Sequence, residues 1–452
     1  MPTQLIYLIV LFLFVLIAFL TTRMSIYQVM GIGFALMLTM TGTWDHVFAF
    51  LDATFATSLL YTIFAFLVLS LILDRTGVIN DCINILLALI GRMPGAAGYV
   101  SVLSSAFMGA ISGSGPGNVA ATGVITIPAM KRSGFPAHLA ANIEAAASTL
   151  GNMIPPSGVI IAAYGCYVGA VAEETISIGQ FWVILWGISL WFVVQRLLTV
   201  FFLCRTYHVK PMEESEIPDL KECLREGWRS LLIPVIILAP FVVDYLGKST
   251  FIAARIGSSG ASSFSSSLLL FIPGMTALYA ILISKNKKMR SVPYLLDVFE
   301  KSVKSIVPTL ITLIFAYAIG EVLDFIGTGP ALAEYLASFN FSKVAIAFLL
   351  PLLTALLGMI FPGSAQIAIM GPSMVTLMVS CGMDVLMAAA VLPCICGAMS
   401  GIIPPVAVCT LTAMSIAESD TAKTMSNSFV WVLLHYIMSV LLMLGVLPII
   451  GL

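Results

Sequence analysis

The chain has 452 residues, 60% of them hydrophobic and only 10% charged, with a mean hydropathy of +1.06 and a formal net charge of −1. Soluble domains carry about a quarter charged residues, so this composition describes an integral membrane protein. The balanced charge, with no basic arm or aromatic-interleaved patch, excludes nucleic acid as a partner.

Apolar segments long enough to cross a hydrocarbon core of about 30 Å as helices recur along the whole chain. The first, 4–20, lacks a basic n-region and an Ala-x-Ala site and is followed almost at once by another, so it reads as a retained span rather than a signal peptide. Spans are expected at 24–42 and 54–74, then an amphipathic interfacial stretch over Val78–Ile90, then 96–112, 118–131, 136–164 and 178–204. A polar segment over 205–228 separates these from 229–247, 262–284, 302–327, 341–361, 364–380, 383–413 and 427–449. That segment and Lys285-Asn-Lys-Lys-Met-Arg290 hold the densest Lys/Arg clusters, with two spans between them. The positive-inside rule places both in the cytoplasm.

Two pairs of pieces, 96–112 with 118–131 and 341–361 with 364–380, are too closely spaced for ordinary spans and read as re-entrant hairpins. Non-helical backbone survives at membrane depth only where protein or a wet cavity satisfies it, so their Gly- and Ser-rich tips mark a cavity. Each hairpin is followed at a matched distance by a Pro-Pro pair: Gly113 precedes Pro155-Pro156 by 42 residues, and Gly363 precedes Pro404-Pro405 by 41. Between them, Gly134-Phe-Pro-Ala-His-Leu-Ala-Ala141 answers Gly382-Met-Asp-Val-Leu-Met-Ala-Ala389. Repeats with broken segments at matching positions point to a transporter site near the bilayer midplane.

The residue types fit that chemistry. A dehydrated sodium ion wants several oxygens, and prolines that interrupt a helix are expected to free carbonyls near Leu150–Met153 and Met399–Ile402. The positions read as lining the site are Ser112, Gly113, Ser114, Gly115, Asn118, Glu144, Ser148, Thr149, Asn152, Pro155 and Pro156 in the first unit. In the second they are Gly363, Ser364, Gln366, Ser400, Gly401, Pro404 and Pro405. Sodium is assigned to Ser112, Ser114, Ser364, Ser400 and nearby carbonyls, with no other cofactor. The half-helix starting near Asn118 aims its amide end at the cavity and favours an anion such as a carboxylate.

Charges within spans are costly and are functional candidates. Glu144 shares a helix face with Ser148 and can line the substrate path, take up a proton, or pair with Lys131 or Arg132. Asp74 and Arg75 read as an interfacial pair, and His138 and His435 as packing histidines; Glu321 and Asp324, at i and i+3 on a helix end, would suit a cation but read first as a solvated end. The eight cysteines read as small buried hydrophobes, Cys394-Ile-Cys396 being too tightly spaced for zinc. An intramembrane serine protease is disfavoured, because Ser112-Gly-Ser-Gly115 opens with Ser rather than Gly. No Walker loop is present to hydrolyse ATP.

At these residues a family resemblance appears. The run 66–165, with Asp74-Arg-Thr-Gly77, the Ser112-Gly-Ser114 tip, Ile127-Pro-Ala-Met-Lys-Arg-Ser-Gly134 and the Pro-Pro break, resembles the large membrane subunit of tripartite ATP-independent periplasmic (TRAP) transporters. The run 358–417 resembles that family's second repeat. Asn118-Val-Ala-Ala-Thr-Gly123 and Glu144-Ala-Ala-Ala-Ser148 are similar to the branch served by TAXI-type binding proteins, whose polypeptides are usually longer and fused.

The resemblance implies an all-α integral membrane protein, a multi-span helical bundle with two inverted repeats, built as an elevator-type transporter of the ion-transporter superfamily. Scaffold spans would occupy 1–95, the first transport repeat 96–165, further scaffold 166–340, the second repeat 341–415, and a last span 416–452. It implies sodium-driven import of a small organic acid across a bacterial inner membrane, without enzymatic activity. The implied partners are a small four-helix membrane subunit and an extracytoplasmic solute-binding protein. One departure stands out: where the family has Gly-x-Phe-Thr-Pro-Thr-Glu-Ala, this chain has Asp244-Tyr-Leu-Gly-Lys248 and then Arg255-Ile-Gly-Ser-Ser-Gly-Ala-Ser-Ser-Phe264. A self-sufficient ion-coupled anion carrier of related two-hairpin architecture is therefore the alternative.

Overall fold

A computed structural model of the chain describes residues 2–451 apart from 22–23, 57, 113–114, 172–175, 329–330, 332–333, 336–340, 360–362 and 405–406. Among the described residues the secondary structure is helical, with no strand. The N-terminal helices are α1 (Thr3–Thr21), α2 (Ile26–Thr41), α3 (Val47–Ala56), α4 (Ser58–Thr76) and α5 (Val78–Ile90). Gly42 and Gly77, both in the left-handed region, end α2 and separate α4 from α5.

The first hairpin is α6 (Ala96–Ser112) and α7 (Gly115–Ser133). A broken helix follows: α8 (Ala137–Ser148), a 3-10 turn over Thr149–Asn152, and α9 (Gly158–Ala170). Next come α10 (Ile178–Thr206), α11 (Leu220–Gly227), α12 (Leu232–Gly247), α13 (Ala253–Ile283) and α14 (Val292–Phe325). The second hairpin is α15 (Lys343–Gly358) and α16 (Gly363–Ser380). Its broken helix runs through α17 (Val385–Leu392), a π-turn over Pro393–Ala398, a 3-10 turn over Met399–Gly401, and α18 (Val408–Ala417). The last helix is α19 (Thr421–Met443).

Among the described residues, three helices are long and apolar enough to cross a membrane: Ile178–Thr206, Ile306–Phe325 and Thr421–Met443. Three bent pairs would add three more as broken spans. The broken helix expected over 136–164 is indeed two helices with a turn between them. The expected span at 302 is the inner part of a longer helix, because Pro293 in the first turn starts α14 well outside the apolar run.

The units interlock crosswise. The later half of each broken helix packs on the other unit: α9 against α16 and α17, and α18 against α7 and α8. Gly134 and Gly382, matched in the sequence, both take positive φ (107° and 84°) ahead of α8 and α17, so the register read from sequence is also a register of backbone turns. A large apolar core joins both units with α4 and α10. A second, smaller core joins α1–α3 and α14 to the second hairpin through residues such as Leu11, Met37, Ile319 and Ile369.

Contacts with the polar segment orient the units. Lys285 bonds Asp81 (3.1 Å) and Glu226 (3.0 Å), bringing the two basic clusters to one side of the molecule. The Glu226 and Asp81 hydrogen bonds push the Lys285 ammonium above its ordinary value. The base of the first hairpin lies on that side too, since Arg92 pairs with Glu214 and Arg132 with Glu216. Helix α14 starts there and its 34 residues extend roughly 50 Å. Residues 372–376 of α16 share a cavity with Asp324 and Thr328 at its far end. The second hairpin therefore opens on the opposite side, and the repeats are inverted.

Two half-buried native cysteines test this, Cys223 on α11 and Cys381 at the base of the second hairpin, the other six being buried. A membrane-impermeant maleimide should label Cys223 from one face only and Cys381 from the other, each signal vanishing in Cys223→Ser or Cys381→Ser. Labelling of both from one face would contradict the inversion.

Candidate functional site

Each hairpin sits on a helix break through glycine. A Cβ on Gly109 would fall 2.4 Å from the Gly151 Cα, and one on Gly358 would fall 3.1 Å from the Ser400 Cα; each pair is 42 residues apart. Gly363 lies closer still, where a Cβ would meet the Cys396 carbonyl oxygen at 2.3 Å. Gly115 faces Cys409 and Asn152, and Gly401 faces Thr149 and Cys409. Backbone thus meets backbone at the centre of the bundle, which only glycine permits. Pro155, Pro156 and Pro404 are buried beside these contacts, and Ser364 is half-buried at the start of α16. Gly113, Ser114 and Pro405 lie outside the described residues, as does the side chain of Ser112.

The expectation that the prolines leave carbonyls without partners is corrected at Leu150, Met153 and Met399. The Leu150 carbonyl accepts from the Met153 and Ile154 amides (3.0 and 2.9 Å), and the Met399 carbonyl from Ile402 and Ile403 (both 3.2 Å). Ser189 on α10 donates to the Met153 carbonyl. Asn152 Nδ2 reaches across to the Gly397 carbonyl at 2.7 Å, tying one break to the other. Ser400 Oγ accepts from the Gly363 amide (2.9 Å) and donates to the Gly397 carbonyl (3.2 Å). At the Leu150, Met153 and Met399 carbonyls, tight turns and a serine from another helix satisfy what the prolines disrupt.

Asn118 is the exception that leaves an oxygen over. Its Nδ2 donates to the carbonyls of Ser105 (2.8 Å) and Ser148 (3.3 Å), which fixes the amide's orientation. Its Oδ1 is buried and has no hydrogen-bond partner. Gln366 is also buried, only 2% exposed, on α16.

Glu144 is wholly buried and pairs with neither suggested base: Lys131 donates to the Ala417 carbonyl and Arg132 binds Glu216. It is held by hydroxyls instead. Ser101 (2.7 Å) and Thr126 donate to Oε2, while Thr122, Ser148 (3.1 Å) and Ser105 (3.3 Å) donate to Oε1. The carboxyl pins α6, α7 and α8 together. Ser101/Ser105, Thr122/Thr126 and Glu144/Ser148 are each spaced i, i+4, so three polar faces converge. That spacing was the signal the sequence reading used for Ser148 and passed over for the other four hydroxyls. Counted from Gly109 and Gly358, Glu144 falls opposite Pro393, so the second unit carries a π-turn where the first carries this acid.

The sequence reading also passed over Arg196, alone in the middle of α10 and 1% exposed. Its Nε donates to the Ala146 carbonyl (2.7 Å), and its terminal nitrogens reach Thr149 Oγ1 (3.1 Å), the Phe192 carbonyl, Gln195 Oε1 and His435 Nδ1 (3.3 Å). Because the guanidinium can only donate, Nδ1 accepts, and His435 Nε2–H donates to the Cys394 carbonyl at 3.0 Å. One chain of hydrogen bonds therefore links the first break to the second. His435, read as a packing histidine, does pack, stacked on Phe192, and it is also the middle link of that chain. Both of its nitrogens are engaged, by Arg196 and by the Cys394 carbonyl.

Two substitutions check this geometry. Arg196→Gln should lower stability by on the order of 2 kcal/mol, since it leaves buried acceptors unmet, and Gly109→Ala by about 1–3 kcal/mol through overpacking. Both read as lowered melting midpoints of the purified protein in detergent; unchanged midpoints would contradict the contacts.

Residues 10–449 match the family described as tripartite ATP-independent periplasmic transporter, DctM component. The chain is 32% identical over 199 residues to the C4-dicarboxylate TRAP transporter large permease protein DctM of Pseudomonas aeruginosa, covering 43% of this chain and 44% of that protein. It is 26% identical over 329 residues to the isethionate TRAP transporter permease protein DctMQ of Oleidesulfovibrio alaskensis, covering 71% of this chain and 46% of that one. It thus spans under half the length of these two relatives. Against the DctM of Rhodobacter capsulatus it is 24% identical, covering 69% and 68%. Two solved transporters share the fold: YdaH of Alcanivorax borkumensis (TM-score 0.61, 17% identity, 86% and 87% coverage) and MtrF of Neisseria gonorrhoeae (TM-score 0.62, 15% identity, 88% and 82% coverage). The inverted helical hairpins, their paired breaks and the match across nearly the whole sequence place this integral membrane protein in the DctM family of TRAP transporter large permeases.

Proposed function

We propose that the chain is the large membrane subunit of a sodium-driven importer of a small organic acid in a bacterial inner membrane. The observation that carries the ion assignment is Asn118 Oδ1, a fixed, buried and unpartnered oxygen beside the first break. Sodium would be held by this oxygen with Ser148, Thr149 and Ser364, each of which keeps oxygen lone pairs, and by the undescribed hairpin tip around Ser114. The ion would supply positive charge beside the amide end of α7, where a substrate carboxylate would sit.

Relatives support the substrate class through the solutes in their names: C4-dicarboxylates, isethionate and sialic acid. In this reading the two interlocked units slide as one body against α1–α3 and α14. A small membrane subunit and a solute-binding protein, of the TAXI type, complete the transporter. Glu144 belongs to the sliding body, and its hydroxyl cage keeps a proton-coupled role as a competing use.

The second reading, a carrier that needs no binding protein, is favoured by one local feature. The departure from the family pattern at 244–264 coincides with a π-turn over Lys248–Ile252 and a kink at Gly257 (φ 75°) inside α13.

Uptake into proteoliposomes, with and without the two partner proteins, under imposed sodium or proton gradients and with a panel of small carboxylates, decides between them. Sodium-driven uptake that requires both partners is expected, and Asn118→Leu should raise the sodium needed for half-maximal rate at least about tenfold, with a smaller rise in Ser364→Ala. Unchanged sodium dependence in both variants would sink the ion assignment; full uptake by the chain alone would sink the tripartite reading.

A further inference from the structure

A cavity of about 540 Å³ lies on the side away from the polar segment, between the far end of α14 and the arms α9 and α16. Glu321 and Asp324, one helical turn apart, line its α14 wall together with Tyr317 and Thr328. Asp324 is exposed, as the helix end expected from the sequence requires, while Glu321 is half-buried in the wall. Thr328 is only 2% exposed and its hydroxyl has no hydrogen-bond partner; the buried Tyr317 hydroxyl has none either. Such groups cost free energy unless something fills the space and bonds them.

The charge of the occupant follows from the rest of the lining. None of the described lining residues is basic. Behind the wall, Ser265 donates to Oδ1 of the fully buried Asp244 at 2.6 Å, and the other carboxyl oxygen, Oδ2, has no partner. A carboxylate substrate is repelled by this arrangement, so the cavity is distinct from the break site. The rest of the lining is largely apolar and aromatic, with Tyr164, Ile178 and Pro372 beside the hydroxyls of Ser373 and Thr376, a surface that a small hydrated metal ion would leave mostly unused.

We propose that this cavity binds an organic ammonium ion, a protonated amine with an aromatic or alkyl body. The ammonium shares its three N–H donors among the oxygens of Glu321, Asp324, Thr328 and Tyr317, and the apolar body lies against Tyr164, Ile178 and Pro372. The bound amine touches α14 on one side and α9 and α16 on the other. On the sliding mechanism proposed above, it therefore also arrests uptake.

Calorimetry on the purified full chain tests the site without any transport assay, using 1-naphthylmethylammonium as probe and the neutral 1-naphthylmethanol as control. The cation should bind at least about tenfold more tightly than the alcohol. Glu321→Gln combined with Asp324→Asn should erase that preference, and Thr328→Val, which keeps the shape, should weaken the cation alone several-fold. Equal affinity for cation and alcohol, or wild-type affinity in both variants, overturns the proposal. Binding that leaves uptake unaffected upholds the site and contradicts the sliding.

Discussion

A lipid bilayer offers no water to an unpaired peptide group, and this protein breaks two helices in its interior. The structure answers that constraint with side chains drawn from other helices. Arg196 and Ser189 on α10, Asn118 on α7 and His435 on α19 each take a carbonyl at or beside a break. Asn152 and Ser400, within the breaks, take another. The remaining architecture follows: helices must lie close enough to deliver these donors, and the glycines at 109, 358 and 363 are what let the hairpins approach.

The two units share a backbone plan and divide the chemistry. Both place a hairpin on a break, cross over onto the other unit and start their broken helix after a left-handed glycine. Only the first carries a buried acid, and only the second replaces that position with a proline and a π-turn. An inverted pair with unequal side chains lets one unit supply charge and the other supply shape, while Asn152 and the Arg196–His435 chain keep them in register.

Most of the fold was legible because its signals are local: apolar length, Pro-Pro pairs, glycine spacing and the repeat between 113–156 and 363–405. The break residues themselves were found, but their energetics were misread. Prolines are expected to strand carbonyls at Leu150–Met153, yet the Leu150 carbonyl is met by the amides of its own turn and that of Met153 by Ser189, 36 residues away on another helix. Arg196 could have been noticed as a lone cation in an apolar helix; which carbonyls it meets could not, since that depends on how α10 packs on α8. Glu144 was legible as important, yet its hydroxyl cage needed three helices to converge. Asp324 is an exposed helix end, as its position suggests, whereas nothing local announces the cavity built from α9, α14 and α16 that Glu321 also lines.

The central claim is that the two breaks act as one ion-responsive site. Hydrogen exchange of the purified protein, compared in sodium and in choline at equal ionic strength, tests it most directly. The account predicts that sodium slows exchange together in the peptides spanning 148–154 and 397–403, and leaves α1 and α2 unchanged. Protection of one break without the other, or of neither, would contradict it.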